Sequence, residues 1–287
     1  MIRKEQLMHK KIGYLGPRGT FCEQAARHWT LQDEWDLLPC SSIDRVLAAV
    51  ADGTVACGIV PIENSCEGSV NQTLDLLAYA YELQIIGEIV LPVQHNLLAR
   101  TGIRLQEIQR IISHPQALAQ CRQYLTAKFP ALEYVDVSST AEAAMRVAAS
   151  MEPWAAIGTS AAADEYGLEV LEACIQDGSH NETRFVILSR ETVPQTGKDK
   201  TSLLLYLNDR PGSLFKALEQ FYLQNINLSK IESRPARTMI GDYLFFVDIE
   251  GHRDDAHVQA ALEGLTTITR AIKILGSYPR AEMQIQR

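Results

Sequence analysis

The sequence lacks any hydrophobic stretch that approaches the length of a membrane span, and residues 1–11 mix charged with apolar side chains. A bilayer span needs roughly 20 apolar residues, and a secretory signal peptide needs an apolar core close to its N-terminus. Neither pattern is present. The sequence therefore predicts a cytoplasmic protein with no membrane partner.

The six cysteines include no CxxC pair, and their spacing matches no zinc-site template. Most have apolar or small neighbours, which is typical of reduced structural thiols in a reducing cytosol. The HExxH motif and any tight cluster of carboxylates are also missing from the sequence. No metal site is predicted.

Basic residues are fewer than acidic ones: the sequence has 27 Lys and Arg residues and 35 Asp and Glu residues, which give a net charge of -8. This balance gives no reason to expect nucleic acid as a partner, and an anionic substrate would need a local positive site. The glycine-containing segment 16–20 matches neither GxGxxG nor GxxxxGK[ST], so a nucleotide site is not indicated. No cofactor is predicted.

The chain is long enough for two domains. Predicted strands alternate with helices over residues 11–190, which indicates an α/β fold with mostly parallel sheets. Residues 191–200 are polar, contain Pro and Gly, and are interpreted as a linker. Residues 201–280 follow a βαββαβ pattern, which predicts a ferredoxin-like second domain.

Hydroxyl side chains occur where several predicted strands give way to helices. Ligands of α/β folds bind beyond the carboxyl ends of strands, and helix N-termini that converge on one cleft can hold carboxylates. The alternative is that each hydroxyl only caps its own helix. The residues concerned are Thr20, Ser65, Ser69, Ser139, Thr140, Thr159 and Ser160.

Other polar side chains at these turns suit acid–base chemistry. Glu63, Asn64 and Ser65 follow a predicted buried strand and could orient a polar substrate and shuttle a proton. His114 is interpreted as a helix cap. Gln116 could donate a hydrogen bond to a developing anion.

Thr183 and Arg184 place a hydroxyl beside a guanidinium. Arginine binds a carboxylate through two parallel hydrogen bonds. Neighbours on a strand point to opposite faces, so both side chains can serve one ligand only at the edge of a cleft. The alternative is a surface arginine beside an ordinary strand threonine.

Seven segments, in this order, resemble those of the monofunctional bacterial prephenate dehydratases with a C-terminal ACT domain. Only about ten residues precede the first predicted strand, so no chorismate mutase domain is expected. The resemblance covers residues 11–275. The segments read GPRGTF (16–21), VPIENS (60–65), SHPQAL (113–118), STAEAA (139–144), NETRF (181–185), LNDRPGSL (207–214) and ESRP (232–235).

The resemblance implies a two-lobed catalytic domain like the type II periplasmic binding proteins, followed by the ACT domain. Lobe 1 would comprise residues 11–89 and 183–190, and lobe 2 residues 90–182. The chain would cross between the lobes near 86–93 and 179–185.

The resemblance also implies the conversion of prephenate to phenylpyruvate, with loss of water and CO2, in L-phenylalanine biosynthesis. Thr183 would protonate the leaving hydroxyl, which is the task of a general acid. Glu63 and Asn64 would orient the ring or relay the proton.

Gln116, Ser139 and Thr140 would then hold the pyruvyl carboxylate of the substrate. Arg184 would either bind substrate or form an internal ion pair, and both alternatives stay open. The implied substrate-binding set is Thr20, Ser65, Gln116, Ser139, Thr140, Arg184 and Phe185.

The ACT domain implies feedback control by L-phenylalanine, bound at a contact between subunits of a homodimer or homotetramer. The implied effector residues are Asn208, Pro211, Gly212, Ser213 and Leu214 from one loop and Glu232, Ser233, Arg234 and Pro235 from the other. Two alternatives remain: an arogenate or dual-substrate dehydratase, and a non-catalytic amino-acid sensor.

Overall fold

A computed structural model gives the fold and describes residues 10–30, 34–178, 180–236 and 243–281. Within these ranges, no helix combines the length and the hydropathy that crossing a bilayer requires.

The first domain contains eleven strands in its described part. They are β1 (Lys10–Leu15), β2 (Trp35–Cys40), β3 (Cys57–Asn64), β4 (Gly68–Ser69), β5 (Gln84–Pro92), β6 (Asn96–Ala99), β7 (Arg110–Ser113), β8 (Glu133–Asp136), β9 (Trp154–Gly158), β10 (Glu169–Glu172) and β11 (Glu182–Ser189).

Its helices are α1 (Phe21–Trp29), α2 (Ile43–Ala51), α3 (Asn71–Tyr79), α4 (Pro115–Gln120), α5 (Arg122–Lys128), α6 (Thr140–Ala149) and α7 (Ser160–Tyr166). A short 3₁₀ turn spans Leu105–Glu107. Residues 115–128 form two helices and not one, because the backbone leaves helical geometry at Cys121.

The strands form two sheets, one in each lobe. The lobe 1 order is β2-β1-β3-β11-β5, with β4 on β3, and the lobe 2 order is β10-β6-β9-β7-β8. Both sheets are mixed, so the prediction of mostly parallel sheets is wrong. Apart from the short β4 on β3, the antiparallel pairs involve β5, β6, β10 and β11, which run back along their neighbours on either side of the crossings between lobes.

The two crossings lie side by side. The chain leaves lobe 1 after Pro92 and returns to it at Glu182, and the Val93 N–H donates to the Asn181 carbonyl at 2.7 Å. This pairing makes a two-stranded hinge at one edge of the cleft. The resemblance implied crossings near 86–93 and 179–185, and residue 179 lies outside the described residues.

Several helix starts carry side-chain caps, and three of them, Thr20, Ser139 and Thr159, are among the hydroxyls singled out in the sequence. The hydroxyls of Thr20, Ser42, Ser139 and Thr159 each accept the N–H of the third residue of the helix that follows. The Nδ1 atom of His114 accepts the N–H of Gln116 at the start of α4. Capping is therefore real at these junctions, and it also fixes where the helix N-termini point.

The second domain contains β12 (Asp199–Leu207), α8 (Ser213–Leu223), β13 (Leu228–Pro235), β14 (Tyr243–Glu250), α9 (Ala256–Thr266) and β15 (Thr269–Pro279). The sheet order is β13-β14-β12-β15, and every pair is antiparallel, as in a ferredoxin-like fold. Strand β12 begins at Asp199, inside the segment interpreted as linker. Residue 242, predicted to open β14, lies outside the described residues.

Lobe 1 and the second domain share one hydrophobic core. Buried side chains of α2, α3 and β11 pack in the same cluster as Leu204, Leu244, Phe246, Leu275 and Tyr278 of the second domain. Shared apolar burial of this kind fixes the relative position of two domains. The second domain therefore sits against the lobe 1 sheet rather than hanging from a flexible tether.

Candidate active site

The antiparallel strands β3 and β11 form a ladder beside the hinge. Asn64 lies opposite Thr183, and Glu63 lies opposite Arg184. Successive side chains on a strand point to opposite faces, so the first pair faces the cleft between the lobes and the second pair faces away. We call these pairs the cleft pair, Asn64 and Thr183, and the rear pair, Glu63 and Arg184.

A cavity of about 360 Å³ lies between the lobes. It brings together seven of the ten residues predicted for the catalytic site. They are Thr20, Asn64, Gln116, Ser139, Thr140, Thr183 and Phe185.

Asn64 holds the Thr183 hydroxyl in a defined orientation. The Nδ2 group of Asn64 donates to Thr183 Oγ1 at 2.9 Å and to Asn181 Oδ1 at 2.8 Å. Asn64 Oδ1 accepts the N–H groups of Cys66 and Glu67, which fixes the rotation of the amide. Because Thr183 Oγ1 accepts from Asn64, its own proton is free to be donated into the cavity.

The hydrogen-bond chain continues across the hinge into lobe 2. Asn181 Nδ2 donates to Gln120 Oε1 at 3.0 Å, and His95 Nε2 lies 2.8 Å from the same oxygen. Since Gln120 Oε1 is an acceptor, His95 carries its proton on Nε2. Burial lowers the pKa of His95, so the ring is neutral at neutral pH.

Sequence reasoning did not include Asn181, Gln120 or His95 in the site. Two of them carried a usable signal. Asn181 lies two residues before Thr183, so on an extended chain it shares a face with it. Gln120 lies one helical turn after Gln116.

The N-termini of three helices lie at the cavity wall. The caps Thr20, His114 and Ser139 of α1, α4 and α6 all line it. Helix N-termini present free N–H groups and a partial positive charge, which suit carboxylates. No Lys or Arg occurs among the described residues that line the cavity. An anion bound here would be held by dipoles and hydrogen bonds, not by a cationic side chain.

Ser65, predicted to bind substrate, lies outside the cavity. Its hydroxyl accepts the Glu182 N–H at 2.9 Å and donates to the His180 carbonyl at 3.2 Å. Because both partners belong to the second crossing, Ser65 holds the hinge and does not face the cleft.

Glu63 and Arg184 also lie outside the cavity and face the second domain. Arg184 Nη2 lies 2.6 Å from Asp248 Oδ2, and ion pairs of 3.5 Å join the guanidinium to Glu63 and Glu88. Burial is the largest single influence and disfavours the charged guanidinium, but Asp248, Tyr278 and Glu88 together outweigh it and hold the pKa of Arg184 above its ordinary value. This position corresponds to the second alternative stated for Arg184, an internal ion pair. The role predicted for Glu63 in the cleft is not supported by its position.

The predicted effector residues divide into two groups. Asn208, Ser213 and Leu214 line a second cavity of about 160 Å³ with Tyr243 and Phe245. Pro211 and Gly212 belong to the turn that leads into α8, where Gly212 has a positive φ of 82°.

The second group faces lobe 1 of the same chain and does not line that cavity. Glu232 accepts a hydrogen bond from the Ser69 hydroxyl, Arg234 pairs with Asp75 at 2.6 Å, and the Pro235 carbonyl accepts from the Tyr79 hydroxyl. The Ser233 side chain is exposed. A single protomer does not bring the two groups together, because the sheet places β13 on the catalytic domain.

Two further features limit the chemistry of the cleft. The described residues contain no group of three or more His, Cys, Asp or Glu side chains placed to hold a metal ion. All six cysteines are free, and burial raises the pKa of Cys22, the thiol in the cavity wall, to about 12. A thiol with so high a pKa is a poor nucleophile at neutral pH.

Comparison with known proteins identifies the family. The prephenate dehydratase family model matches residues 12–193, and the ACT domain model matches residues 201–266. The chain belongs to the prephenate dehydratase family. The ACT match coincides with the ferredoxin-like second domain.

Similar proteins are known from bacteria and plants. The chain is 41% identical to a bifunctional chorismate mutase/prephenate dehydratase of Aquifex aeolicus, covering 96% of this chain and 75% of that one. It is 39% identical to the prephenate dehydratase of Mycobacterium tuberculosis, covering 94% and 87%. It is 41% identical to arogenate dehydratase 2 of Petunia hybrida, covering 94% and 71%.

Solved structures agree with the fold. A prephenate dehydratase from Arthrobacter aurescens in complex with L-Phe superposes with a TM-score of 0.86 at 41% identity, covering 96% of this chain and 91% of that one. GqqA, described as a novel type of quorum-quenching acylase, superposes with a TM-score of 0.87 at 33% identity, covering 96% and 99%.

Proposed function

We propose that this protein is a prephenate dehydratase that forms phenylpyruvate for L-phenylalanine biosynthesis. The observation that carries the proposal is the Thr183 hydroxyl, held as an acceptor by Asn64 and left as a donor towards the cavity. The six free thiols support a reducing compartment, and we place the reaction in the cytoplasm.

The reaction needs one proton at one place. The bond between ring carbon 1 and its carboxylate breaks, and the electron pair moves through the ring and expels the hydroxyl from carbon 4. The hydroxyl takes a proton and leaves as water, while the carboxylate leaves as CO2. Thr183 supplies the donor hydrogen bond and the proton, and the hydrogen bond from Asn64 stabilises the negative charge that develops on Thr183 Oγ1.

The N-termini of α1, α4 and α6 suit the pyruvyl carboxylate, which persists in the product. Ser139, Thr140 and Gln116 lie at these ends and line the cavity. Apolar side chains of Leu15 and Phe185 line the same cavity and suit the ring.

The absence of Lys and Arg among the described cavity-lining residues supports a decarboxylation. A strong ion pair to the departing carboxylate would stabilise the ground state and disappear in the transition state, which raises the barrier. Hydrogen-bond donors and helix dipoles hold the substrate with less of this penalty.

Feedback by L-phenylalanine is the regulatory part of the proposal. The cavity of Asn208, Ser213 and Leu214 stands at the N-terminus of α8, where free N–H groups suit the carboxylate of an amino acid. Tyr243 and Phe245 line the same cavity and suit an aromatic side chain.

A homodimer or homotetramer is proposed through the ACT domains. Phe215 and Tyr222, seven residues apart on α8, share one helix face and are 68% and 81% exposed. Exposed aromatic side chains on one face are typical of an interface between subunits. Analytical ultracentrifugation of wild type and of Phe215→Glu tests the interface.

Incubation of the purified protein with prephenate, followed by the absorbance of phenylpyruvate, tests the activity. Arogenate in a parallel assay tests the alternative dehydratase, because the two substrates differ only in an amino group and a keto group, and the ratio of kcat/KM decides between them. An N-acylated amine in a third assay tests the acylase activity described for GqqA. If neither prephenate nor arogenate is consumed, the proposal fails. If the third substrate is also left unchanged, a non-catalytic sensor becomes the better account.

A further inference from the structure

The rear pair contacts the ACT domain and is bonded directly, residue to residue, to the cleft pair. Glu63 and Arg184 are the sequence neighbours of Asn64 and Thr183 on the same two strands, and the two pairs are consecutive rungs of one ladder. A β-strand transmits a shift from one rung to the next because its backbone hydrogen bonds tie both strands together.

The ACT domain holds this rear pair with two charged side chains. Lys230 of β13 lies 3.1 Å from Glu63, and Asp248 of β14 lies 2.6 Å from Arg184. The side chains of Lys230 and Arg184 are only 9% and 12% exposed. The Glu63 side chain is 36% exposed and that of Asp248 6% exposed. The Arg184–Asp248 pair is therefore weakly screened by solvent, and the Lys230–Glu63 pair is partly screened.

A second contact reaches the cavity wall itself. Ser69 lines the cavity and lies opposite Glu63 in the pairing of β4 with β3. Its hydroxyl accepts from Lys230 Nζ at 2.8 Å and donates to Glu232. Lys230 therefore touches the rear pair and a cavity-lining residue at once.

Strand β13 is suited to carry a signal because, among the strands that the structure describes, it lies at the edge of the ACT sheet and pairs with β14 alone. An edge strand has fewer backbone hydrogen bonds to break than a central one, so it shifts at lower cost. The same strand carries Glu232 and Arg234, which belong to the predicted effector segment and contact lobe 1.

We propose that Glu63 and Arg184 are positioning residues for the cleft pair, and that Lys230 is the contact through which the ACT domain controls them. A displacement of β13 moves Lys230, changes the pairing at Glu63 and Ser69, and shifts the Thr183 hydroxyl from its productive position. The inference rests on the proposed function, because it gives phenylalanine feedback a physical route.

Lys230→Met and a matched control, Lys273→Met, test the route. Lys273 is also an ACT lysine bound to lobe 1, but it contacts the Leu77 and Tyr81 carbonyls and Glu82 at the far end of α3. The concentration of phenylalanine that halves prephenate turnover is measured for wild type and both variants. It is expected to rise at least about fivefold in Lys230→Met, the lower end of typical allosteric coupling, and to stay within about twofold in Lys273→Met.

The outcomes separate the two levels of the proposal. If the wild type turns over prephenate but does not respond to phenylalanine, the regulatory proposal fails on the wild type alone, and the inference fails with it. If the wild type responds and the two variants behave alike, only the inference is overturned. Calorimetry must still detect phenylalanine binding to Lys230→Met, since loss of binding would make Lys230 an effector ligand and would also overturn the inference.

A readout without effector tests the positioning role and remains informative if Lys230→Met folds poorly. Asp248→Asn removes the charge that anchors Arg184, and a displaced Thr183 hydroxyl is expected to lower kcat by about three- to tenfold with little change in KM. Asp248→Glu should recover part of the loss. Unchanged kcat in Asp248→Asn, or a change in KM alone, would contradict the positioning role.

Discussion

The two faces of the β3–β11 ladder differ in almost every physical property, although they are built from neighbouring residues. The cleft face carries Asn64 and Thr183 in a cavity whose described lining contains no Lys or Arg. The rear face carries Glu63 and Arg184 in a network of charges that Glu88 and Asp248 extend. Alternation along a strand keeps the two environments apart over one peptide unit.

The difference teaches where charge is useful in this protein. On the rear face, buried ion pairs hold two domains in one orientation, for which strength is an advantage. On the cleft face, a dianionic substrate must lose one of its carboxylates, for which strong ion pairing is a disadvantage. A TRF motif therefore serves both faces, with its threonine on one and its arginine on the other.

The largest effect is expected on the cleft face. Thr183→Ala removes the proton donor, so kcat with prephenate should fall by about 10³-fold, within the usual range for general acids, with a smaller change in KM. Thr183→Ser keeps the hydroxyl and should retain much more activity. A kcat for Thr183→Ala close to that of wild type would assign the acid to another residue.

On the rear face, substitutions are expected to lower the free energy of unfolding. Glu88 accepts from Lys200 at 2.9 Å and lies 3.5 Å from Arg184; Glu88 and Lys200 are buried, and the Arg184 side chain is 12% exposed. Glu88→Gln leaves two buried cations underpaired, and urea denaturation should show a loss of about 3 kcal/mol in the free energy of unfolding. The matched control is Glu107→Gln, which breaks the exposed pair with Arg104 and should cost much less, because water and salt screen an exposed pair. Equal losses would contradict a structural role for the buried network.

A cation placed on the cleft face would give the cavity the kind of charge that is found on the rear face, and should change both KM and kcat. Gln116→Lys is expected to lower KM because a cation in the cavity attracts both carboxylates of the substrate. It is expected to lower kcat by about tenfold because the attraction to the departing carboxylate is lost in the transition state. Gln123→Lys adds the same charge at an exposed position of α5, outside the cavity lining, and should change neither constant. A rise in kcat for Gln116→Lys would show that the cleft tolerates a fixed positive charge.

The smallest effect concerns pH. Burial lowers the pKa of His95 below its ordinary 6.5, so the unfolded chain takes up a proton on acidification before the folded chain does. The contribution of the neutral His95 ring to the free energy of unfolding should therefore be fully present above pH 6.5. It should decline as the pH falls below that value. His95→Gln should reduce this decline, whereas His28→Gln, at an exposed position, should not. An unchanged decline in His95→Gln would contradict a buried neutral ring.

The helix caps show what local sequence determines. Thr20, Ser139 and Thr159 were interpretable because a hydroxyl before a helix satisfies N–H groups within three residues, a purely local requirement. The Asn64–Thr183 contact joins residues far apart in sequence, and only the antiparallel register of β3 and β11 creates it. No pattern within either segment specifies that register.

Arg184 shows where sequence reasoning stops. Strand alternation already separated it from Thr183, but which face would be the cleft depended on how the ACT domain docks. The mixed sheets were missed for a similar reason, because strand direction near the crossings depends on the path between lobes. Asn181, by contrast, was predictable from its spacing to Thr183.

A crystal structure with phenylpyruvate bound would test most directly whether the two faces have separate roles. The account predicts that the product lies in the cavity with the ring carbon that carried the hydroxyl within about 3.5 Å of Thr183 Oγ1, the separation of a productive complex. Arg184 should remain paired with Asp248 on the opposite face. A product bound to the Arg184 guanidinium, or bound away from the Thr183 hydroxyl, would contradict it.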